Sequence, residues 1–371
     1  MMKIVLSGVN LVEAGPLKVF KEAIIAFSSC CDFEVICLVN NEMLFSDCKK
    51  SNVTFLEFPT VKNSWLNRFW FEYKVCYRLS QEISADIWFA MHDISPRVCT
   101  PLQFVYCHNP SPFYRASMKE LKYERKLFLF SLLYKWLYKI NIKSNKAVIV
   151  QQEWIGKFLV GELGARDYIV SKPLTSKPEK ELIKNDFSNQ SSITFFFPAL
   201  DRTFKNFEVI LNALSYLKDK ELNVYKKIRV ILTINEFSGE YARKIVSEYQ
   251  DLEQVEFLGT IDYDEVIAQY KKCDVVLFPS KLETWGLPIS EAKEFSKPII
   301  LSDLPYAHET LGNYTSATFF SPDEYVNLAE IMKNIVDGKH VFEHAHYEDS
   351  DAVVGSWKQL VEKFISIANE K

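Results

Sequence analysis

The stretch FPSKLETWGLPISEAKEFSKPIILSDLPYAHETL, Phe278 to Leu311, decides the fold. It leaves an apolar run, Val275–Pro279, crosses a turn holding Gly286 and enters a helical segment at Pro288. Proline suits the first helical turn, because the N–H it lacks is one that a helix start leaves unbonded anyway. A second apolar run, Pro298–Ser302, follows the helical segment. Strand, turn, helix and strand in this order form the βαβ unit of a parallel sheet. In open sheets of that kind ligands bind beyond the carboxyl ends of the strands. A helix starting there presents free N–H groups and the positive end of its dipole, which is a site for a diphosphate. Gly286 lets the backbone approach such a ligand closely. Glu283 and Glu291, eight residues apart, flank the turn. Carboxylates repel phosphate, so their chemistry suits the hydroxyls of a sugar on either side. The competing reading is two ordinary surface glutamates at a helix start.

The same alternation extends in both directions. Lys3–Ser7, Glu34–Val39, Ile87–Met91, Phe104–Cys107 and Ala147–Val150 read as buried parallel strands. Ile193–Phe197, Ile228–Thr233 and Val255–Leu258 join Val275–Pro279 and Pro298–Ser302 in the second half. Between the halves lies SKPLTSKPEKELIKNDFSNQSS, Ser171 to Ser192, which is polar, carries two prolines and lacks apolar periodicity. It reads as a linker. A chain of 371 residues accommodates two such domains.

Composition narrows the function. Hydrophobic residues make up 48% and charged residues 25%, which is globular. A net charge of -4 speaks against nucleic acid as partner of the whole molecule. The eight cysteines form no C-x-x-C pair, so free thiols in a reducing cytosol fit better than a disulfide framework or a zinc site. MMKIVL at the start reads as a strand and not as a signal peptide, and no apolar run approaches the ~20 residues of a spanning helix. Tyr114–Lys146 stands apart, with nine Lys or Arg against two Glu and the run LFLFSLLYKWLY, Leu127–Tyr138, among them. Asn63–Leu79 is a weaker version, with Trp65, Phe69, Trp70, Phe71 and Tyr73 among Arg68, Lys74 and Arg78. Basic residues beside exposed aromatics suit an anionic membrane surface; the alternative is a core helix with a solvated basic edge.

The motifs then resemble a known family. ETWGLPISEA followed by KPIILSDLP is similar to the E-x7-E pattern of the retaining GT-B glycosyltransferases, and most resembles glycosyltransferase family 4. PALDRTFKN, Pro198–Asn206, resembles that family's donor-phosphate motif. FLGTIDYDEVIAQYKKCDVVLFPS resembles the segment before the glutamate pair, and SWKQLVEKF its closing helix. The resemblance spans nearly all of the second half and is thinner in the first. It implies an α/β GT-B fold of two Rossmann-like, doubly wound domains facing a cleft. The expected division is an acceptor domain over 1–175, a linker over 176–191, a nucleotide-sugar domain over 192–350 and a helix over 351–371 that returns to the first domain.

By position, the resemblance implies that Arg202 and Lys205 neutralise the donor diphosphate. Their spacing just beyond a strand end supports a phosphate clamp independently, against a solvated basic turn. Glu283 would contact the donor sugar and Glu291 the ribose. The backbone of Trp285, Gly286 and Leu287 would hold phosphate and sugar edge, and Leu258 and Gly259 would line the base pocket. His108, in LQFVYCHNPSPFY, matches the family's active-site histidine, whereas His92, in DIWFAMHDISP, is a lesser candidate. The first connection, SGVNLVEAGPLKVF, departs from the family's glycine-rich turn, yet Gly15-Pro16 still reads as a helix start able to approach a phosphate.

Asp262-Tyr263-Asp264 looks like a D-x-D metal motif, but Asp262 followed by Glu265 reads better as helix capping. Asp349-Ser350-Asp351 reads as a loop-to-helix junction, and His340, His344 and His346 have no accompanying cysteine. No metal and no cofactor is expected. The implied activity is metal-independent transfer of a hexose-like sugar, with retention, from a UDP- or GDP-sugar to an acceptor hydroxyl. The acceptor is expected to be a lipid-linked glycan of surface polysaccharide assembly, such as O-antigen or capsule. The expected place is the cytoplasm, peripheral at the inner face of the cell membrane. A nucleotide-sugar epimerase on the same fold and a non-catalytic nucleotide-sugar-binding module are the rival readings.

Overall fold

The computed structural model describes every residue except Cys31, 174–186, 188–189, His344 and Lys371. Most of the expected linker lies outside the described residues. The chain forms two compact units, one of Met1–Pro112, Leu132–Leu174 and Asp349–Lys371, the other of Phe113–Ser131 and Thr175–Glu348. Residues 113–131, inside the stretch read as the N-terminal domain, thus pack with the second unit, and 349–371 pack with the first.

The strands are β1 (Met2–Ser7), β2 (Phe33–Val39), β3 (Val53–Glu57), β4 (Ile87–Ala90), β5 (Leu102–Cys107), β6 (Ala147–Val150) and β7 (Tyr168–Ser171). They continue with β8 (Ile193–Phe197), β9 (Ile228–Leu232), β10 (Val255–Phe257), β11 (Val275–Phe278), β12 (Ile299–Ser302), β13 (Ala317–Phe320) and β14 (Val353–Val354). The first unit's sheet runs β14-β7-β6-β5-β4-β1-β2-β3 and the second unit's β10-β9-β8-β11-β12-β13. Every strand pair in both sheets is parallel. The α/β, doubly wound class is therefore established for both units.

The central strands β4, β5, β6, β11 and β12 are buried at every residue, which is why they are continuous apolar runs in sequence. β3, β7, β13 and β14 were not expected from sequence. β3 and β14 are half-exposed at the sheet margin, and β14 has two residues, so neither carries a strong apolar signal. Several expected strands end one residue early, as at Ala90, Leu232, Phe257 and Phe278, because the next residue turns toward a loop.

In the first unit the helix Trp357–Asn369 starts at Ser356, whose hydroxyl accepts the Gln359 N–H at 3.2 Å. Leu360, Val361, Phe364 and Ile367 form its buried stripe. Phe364 stacks on Phe104 with ring centroids 4.0 Å apart and meets Phe89 and Phe27 at 5.2 and 5.5 Å. In the second unit the buried Phe197 meets Phe207 at 5.1 Å and Phe278 at 6.1 Å.

Candidate functional site

In each sheet the strand order reverses at one junction, and crevices open beyond the carboxyl ends of the two strands that meet there. In the second unit that junction is β8 against β11. The loops after these two strands carry PALDRTFKN and SKLETWGLP, so the topology brings the expected phosphate motif beside the expected sugar motif.

Local bonds hold the two loops in register. Ala199 N–H donates to Thr233 Oγ1 at 2.8 Å, which ties the first loop to the end of β9. Asn206 takes the left-handed conformation at φ 62° and reaches with its amide to the carbonyls of Pro279, at 3.2 Å, and Pro322, at 2.8 Å. Lys281 N–H donates to Phe204 O at 2.8 Å, and Tyr306 donates its hydroxyl proton to Ser280 O at 2.6 Å. Lys205 Nζ then meets Glu283 Oε1 at 2.5 Å, with both side chains about 15% exposed at most (14% and 15%). Ser280 Oγ donates to the same carboxylate oxygen at 2.7 Å. Lys205 also lies 5.6 and 5.5 Å from the ring centroids of Phe204 and Phe278, a setting that favours its charge.

Arg202 is more open, and its Nη2 pairs with Glu124 Oε2 at 2.6 Å. The other Glu124 oxygen accepts from Thr203 N–H and Oγ1, at 2.5 and 3.0 Å. Lys119 completes this attachment by donating to Thr203 O and Glu208. Glu124 and Lys119 were missed in the sequence reading. Their partners lie some eighty residues away (79 to Thr203, 84 and 89 for Lys119), so no local pattern marks them. Both cations of the expected clamp are thus neutralised by carboxylates in this structure, and an anion arriving there would take the place of those partners.

Gly286 sits at φ 82° as the N-cap of the helix Leu287–Glu294, with no acidic residue in its first turn. A Cβ there would lie 3.2 Å from Ile289 Cδ1 and from Phe278 Cε1. Gly286→Ala is expected to cost about 1–2 kcal/mol in urea unfolding, from left-handed strain and this close approach. Trp285 is buried; its indole N–H donates to Ser290 Oγ at 3.1 Å and its carbonyl accepts from Thr310. Leu287 is exposed. Glu291 accepts the Tyr270 hydroxyl at 2.8 Å, and burial raises its carboxyl pKa despite that bond. Leu258 N–H extends the sheet by donating to Leu232 O at 2.9 Å. Gly259, at φ 79°, lies against Asn235, whose amide nitrogen would be 2.3 Å from an added Cβ. Asp262 Oδ1 accepts the Glu265 N–H at 2.9 Å and so caps the helix Tyr263–Lys272.

The first unit holds Gly15 and the two histidines. Gly15 lies in the first turn of the helix Ala14–Ser28, with open space where a Cβ would stand. Asp93, left-handed at φ 73°, accepts the N–H groups of His108 at 2.8 Å and Asn109 at 3.0 Å, and the Tyr138 hydroxyl at 2.8 Å. His108 Nδ1 is 3.5 Å from the same carboxylate, and its side chain is about a quarter exposed (24%). His92 lies at the β1/β4 junction but is sealed in. Arg68 Nη2 meets its Nδ1 at 2.8 Å, Ser7 Oγ its Nε2 at 3.2 Å, and Arg68 Nε reaches Glu72 at 3.1 Å. Burial and then the Arg68 charge push the His92 pKa well down, while burial outweighs Arg68 at Glu72 and lifts its carboxyl to about 7. His92 therefore belongs to a packed polar cluster in the interior.

Residues 178–349 match the family model for Glycosyl transferases group 1. The second half is thus similar to a group 1 glycosyltransferase domain, and the fold of the whole chain is that of GT-B glycosyltransferase structures. Over 238 residues the chain is 26% identical to the O-antigen chain mannosyltransferase RfbU of Salmonella typhimurium, covering 63% of this chain and 60% of RfbU. The chain thus matches less than two thirds of that curated relative's length. Among solved structures, the lipopolysaccharide outer core galactosyltransferase WaaB, in apo form, superposes with a TM-score of 0.59 at 14% identity over 99% of this chain and 95% of that one. Anabaena HepE in complex with UDP-glucose does so with a TM-score of 0.53 at 13% identity over 100% and 98%. These similarities are of fold.

Proposed function

We propose that the protein is a retaining, metal-independent glycosyltransferase that moves a hexose-like sugar from a nucleotide-sugar to a hydroxyl of a lipid-linked glycan in surface polysaccharide assembly. The observation that carries this reading is the convergence of Arg202, Lys205, Glu283 and Gly286 on the carboxyl ends of β8 and β11. RfbU, by name an O-antigen chain mannosyltransferase, and WaaB, by title a lipopolysaccharide galactosyltransferase, favour a polysaccharide acceptor. HepE, solved with UDP-glucose, favours UDP over GDP as the first donor to try.

In the proposed reaction the diphosphate takes the cations that Glu124 and Glu283 hold now. Arg202, Lys205 and the free N–H groups at the Gly286 helix start stabilise the charge that grows as the sugar–oxygen bond breaks. They supply the positive charge that a divalent ion supplies elsewhere. Glu283, released from Lys205, accepts from sugar hydroxyls. Glu291 keeps its place for the ribose, and the Leu258–Gly259 backbone lines the base. The acceptor oxygen attacks the anomeric carbon on the face from which the diphosphate leaves, and a departing phosphate oxygen takes the acceptor's proton. Reaction in the cytoplasm, at the inner face of the membrane, follows from a nucleotide-sugar donor and a lipid-linked acceptor.

A thermal-shift screen against UDP, GDP, dTDP and their sugar conjugates tests the donor. A ligand at ~100 times its dissociation constant stabilises by ~2.7 kcal/mol. One conjugate is expected to stabilise the protein and to be consumed on addition of a glycan acceptor, in the presence of chelator, with the product anomer matching the donor's. Stabilisation by none removes the donor reading. Isomerisation of the sugar without acceptor identifies an epimerase instead.

A further inference from the structure

The helix Arg125–Lys139 is apolar on two opposite faces. Within the first unit its inner face buries Tyr134 and Tyr138, and Tyr138 donates to Asp93. The outer face carries Leu132 and Leu133, each 55% exposed, Trp136 at 68% and, just past the helix end, Ile140 at 41%. These positions recur at three- and four-residue steps, so they form one stripe and not scattered exposure. A water-facing stripe of leucine and tryptophan is unusual on a soluble surface and marks an interaction site. On the inner side the helix Trp65–Trp70 packs against the same helix, Trp65 meeting Tyr134 edge-on at 6.2 Å, and it exposes Leu66 at 82% and Trp70 at 64%.

The charges around the stripe select the occupant. Lys139 lies 6.0 Å from the Trp136 ring centroid, and Lys143 and Lys146 follow it in sequence. Lys135 stands between Leu133 and Trp136 in sequence, held at 3.6 Å by Glu162, an exposed pair of little strength. A protein-sized apolar partner gains nothing from this cationic margin. A bilayer with anionic headgroups meets both features, the acyl boundary taking Leu and Trp and the headgroups taking Lys. No described helix is long and apolar enough to cross a membrane, so contact would lie in the interfacial plane.

We infer that the stripe Leu132, Leu133, Trp136 and Ile140, with Lys139 and Lys143, docks the first unit on an anionic lipid surface. This inference stands apart from the donor chemistry, which is carried by the other unit.

The test is flotation of the full-length protein with vesicles of phosphatidylcholine alone and of phosphatidylcholine mixed with phosphatidylglycerol, at low and high salt. Two variants accompany it, Leu133→Ser with Trp136→Ser, and Lys139→Glu with Lys143→Glu. All four positions lie on the surface or beside it, and an unchanged melting temperature verifies folding. Binding is expected only to the anionic vesicles and weakened by salt, with each double variant binding about tenfold more weakly or worse. Stabilisation by the nucleotide-sugar is expected to be unchanged in both, so failure here and failure of the donor reading are separable. Equal binding to both vesicle types, no binding to either, or a dimer that L133S/W136S dissociates would overturn the inference; the last outcome would assign the stripe to a second copy of the chain.

Discussion

Lys205→Ala is expected to abolish stabilisation by the nucleotide-sugar and to lower turnover about 10²–10³-fold, the size of effect seen when one preorganised electrostatic stabiliser is lost. Lys205 is the more buried cation of the clamp, 14% exposed against 47% for Arg202, so its charge acts with less solvent screening. The variant also leaves Glu283 without its ion pair, although Ser280 still donates to that carboxylate at 2.7 Å. A modest loss of stability is therefore expected in the absence of donor. Lys205→Arg separates the two effects, since it keeps the charge near Glu283 but cannot place a compact ammonium between Phe204 and Phe278. The measurement is turnover together with the donor-induced melting shift in all three proteins. A Lys205→Ala protein that keeps both within a few-fold of the wild type would remove Lys205 from the clamp.

Phe364→Ala is expected to destabilise the first unit by about 3–5 kcal/mol. Its ring is fully buried and touches Phe104, Phe89 and Phe27, which belong to two strands and a helix distant in sequence. Truncation opens a cavity at the point where the last helix is fastened to the sheet, and rigid strands on the far side cannot collapse into it. Urea unfolding followed by tryptophan fluorescence reads this unit selectively, because six of the seven tryptophans lie in it and only Trp285 lies in the other. The expected result is an earlier transition in fluorescence with donor binding, reported by the second unit, retained at low urea. An unchanged transition would mean that the helix Trp357–Asn369 adds little to the stability of the sheet it covers.

Much of the site's local structure was legible in advance, and its partners were not. The glycine N-cap at Gly286 and the helix that follows were readable from Gly-Leu-Pro, because proline and left-handed glycine have narrow backbone preferences. Asp262 as a helix cap was readable for the same kind of local reason. The resemblance assigns Glu291 to the ribose, and nothing local shows that it also accepts a hydrogen bond from Tyr270, 21 residues earlier. Arg202 and Lys205 read as a phosphate clamp, but their present partners Glu124 and Glu283, each 78 residues away, have no local mark.

By itself the sequence determined the class of the fold. A parallel strand buried on both faces must be a short continuous apolar run, and a helix start must solve the problem of its unbonded N–H groups with a few residue types. Both are constraints between neighbours, so they are written in neighbouring residues. Only the tertiary structure decided that β8 lies beside β11, which makes one site of two loops, and that residues 113–131 pack with the second unit. It alone sealed His92 between Arg68 and Ser7 while leaving His108 in reach of solvent. Those outcomes depend on which distant surfaces meet once the sheets are assembled, and a side chain's local sequence does not record the burial or the charge that its eventual neighbours impose.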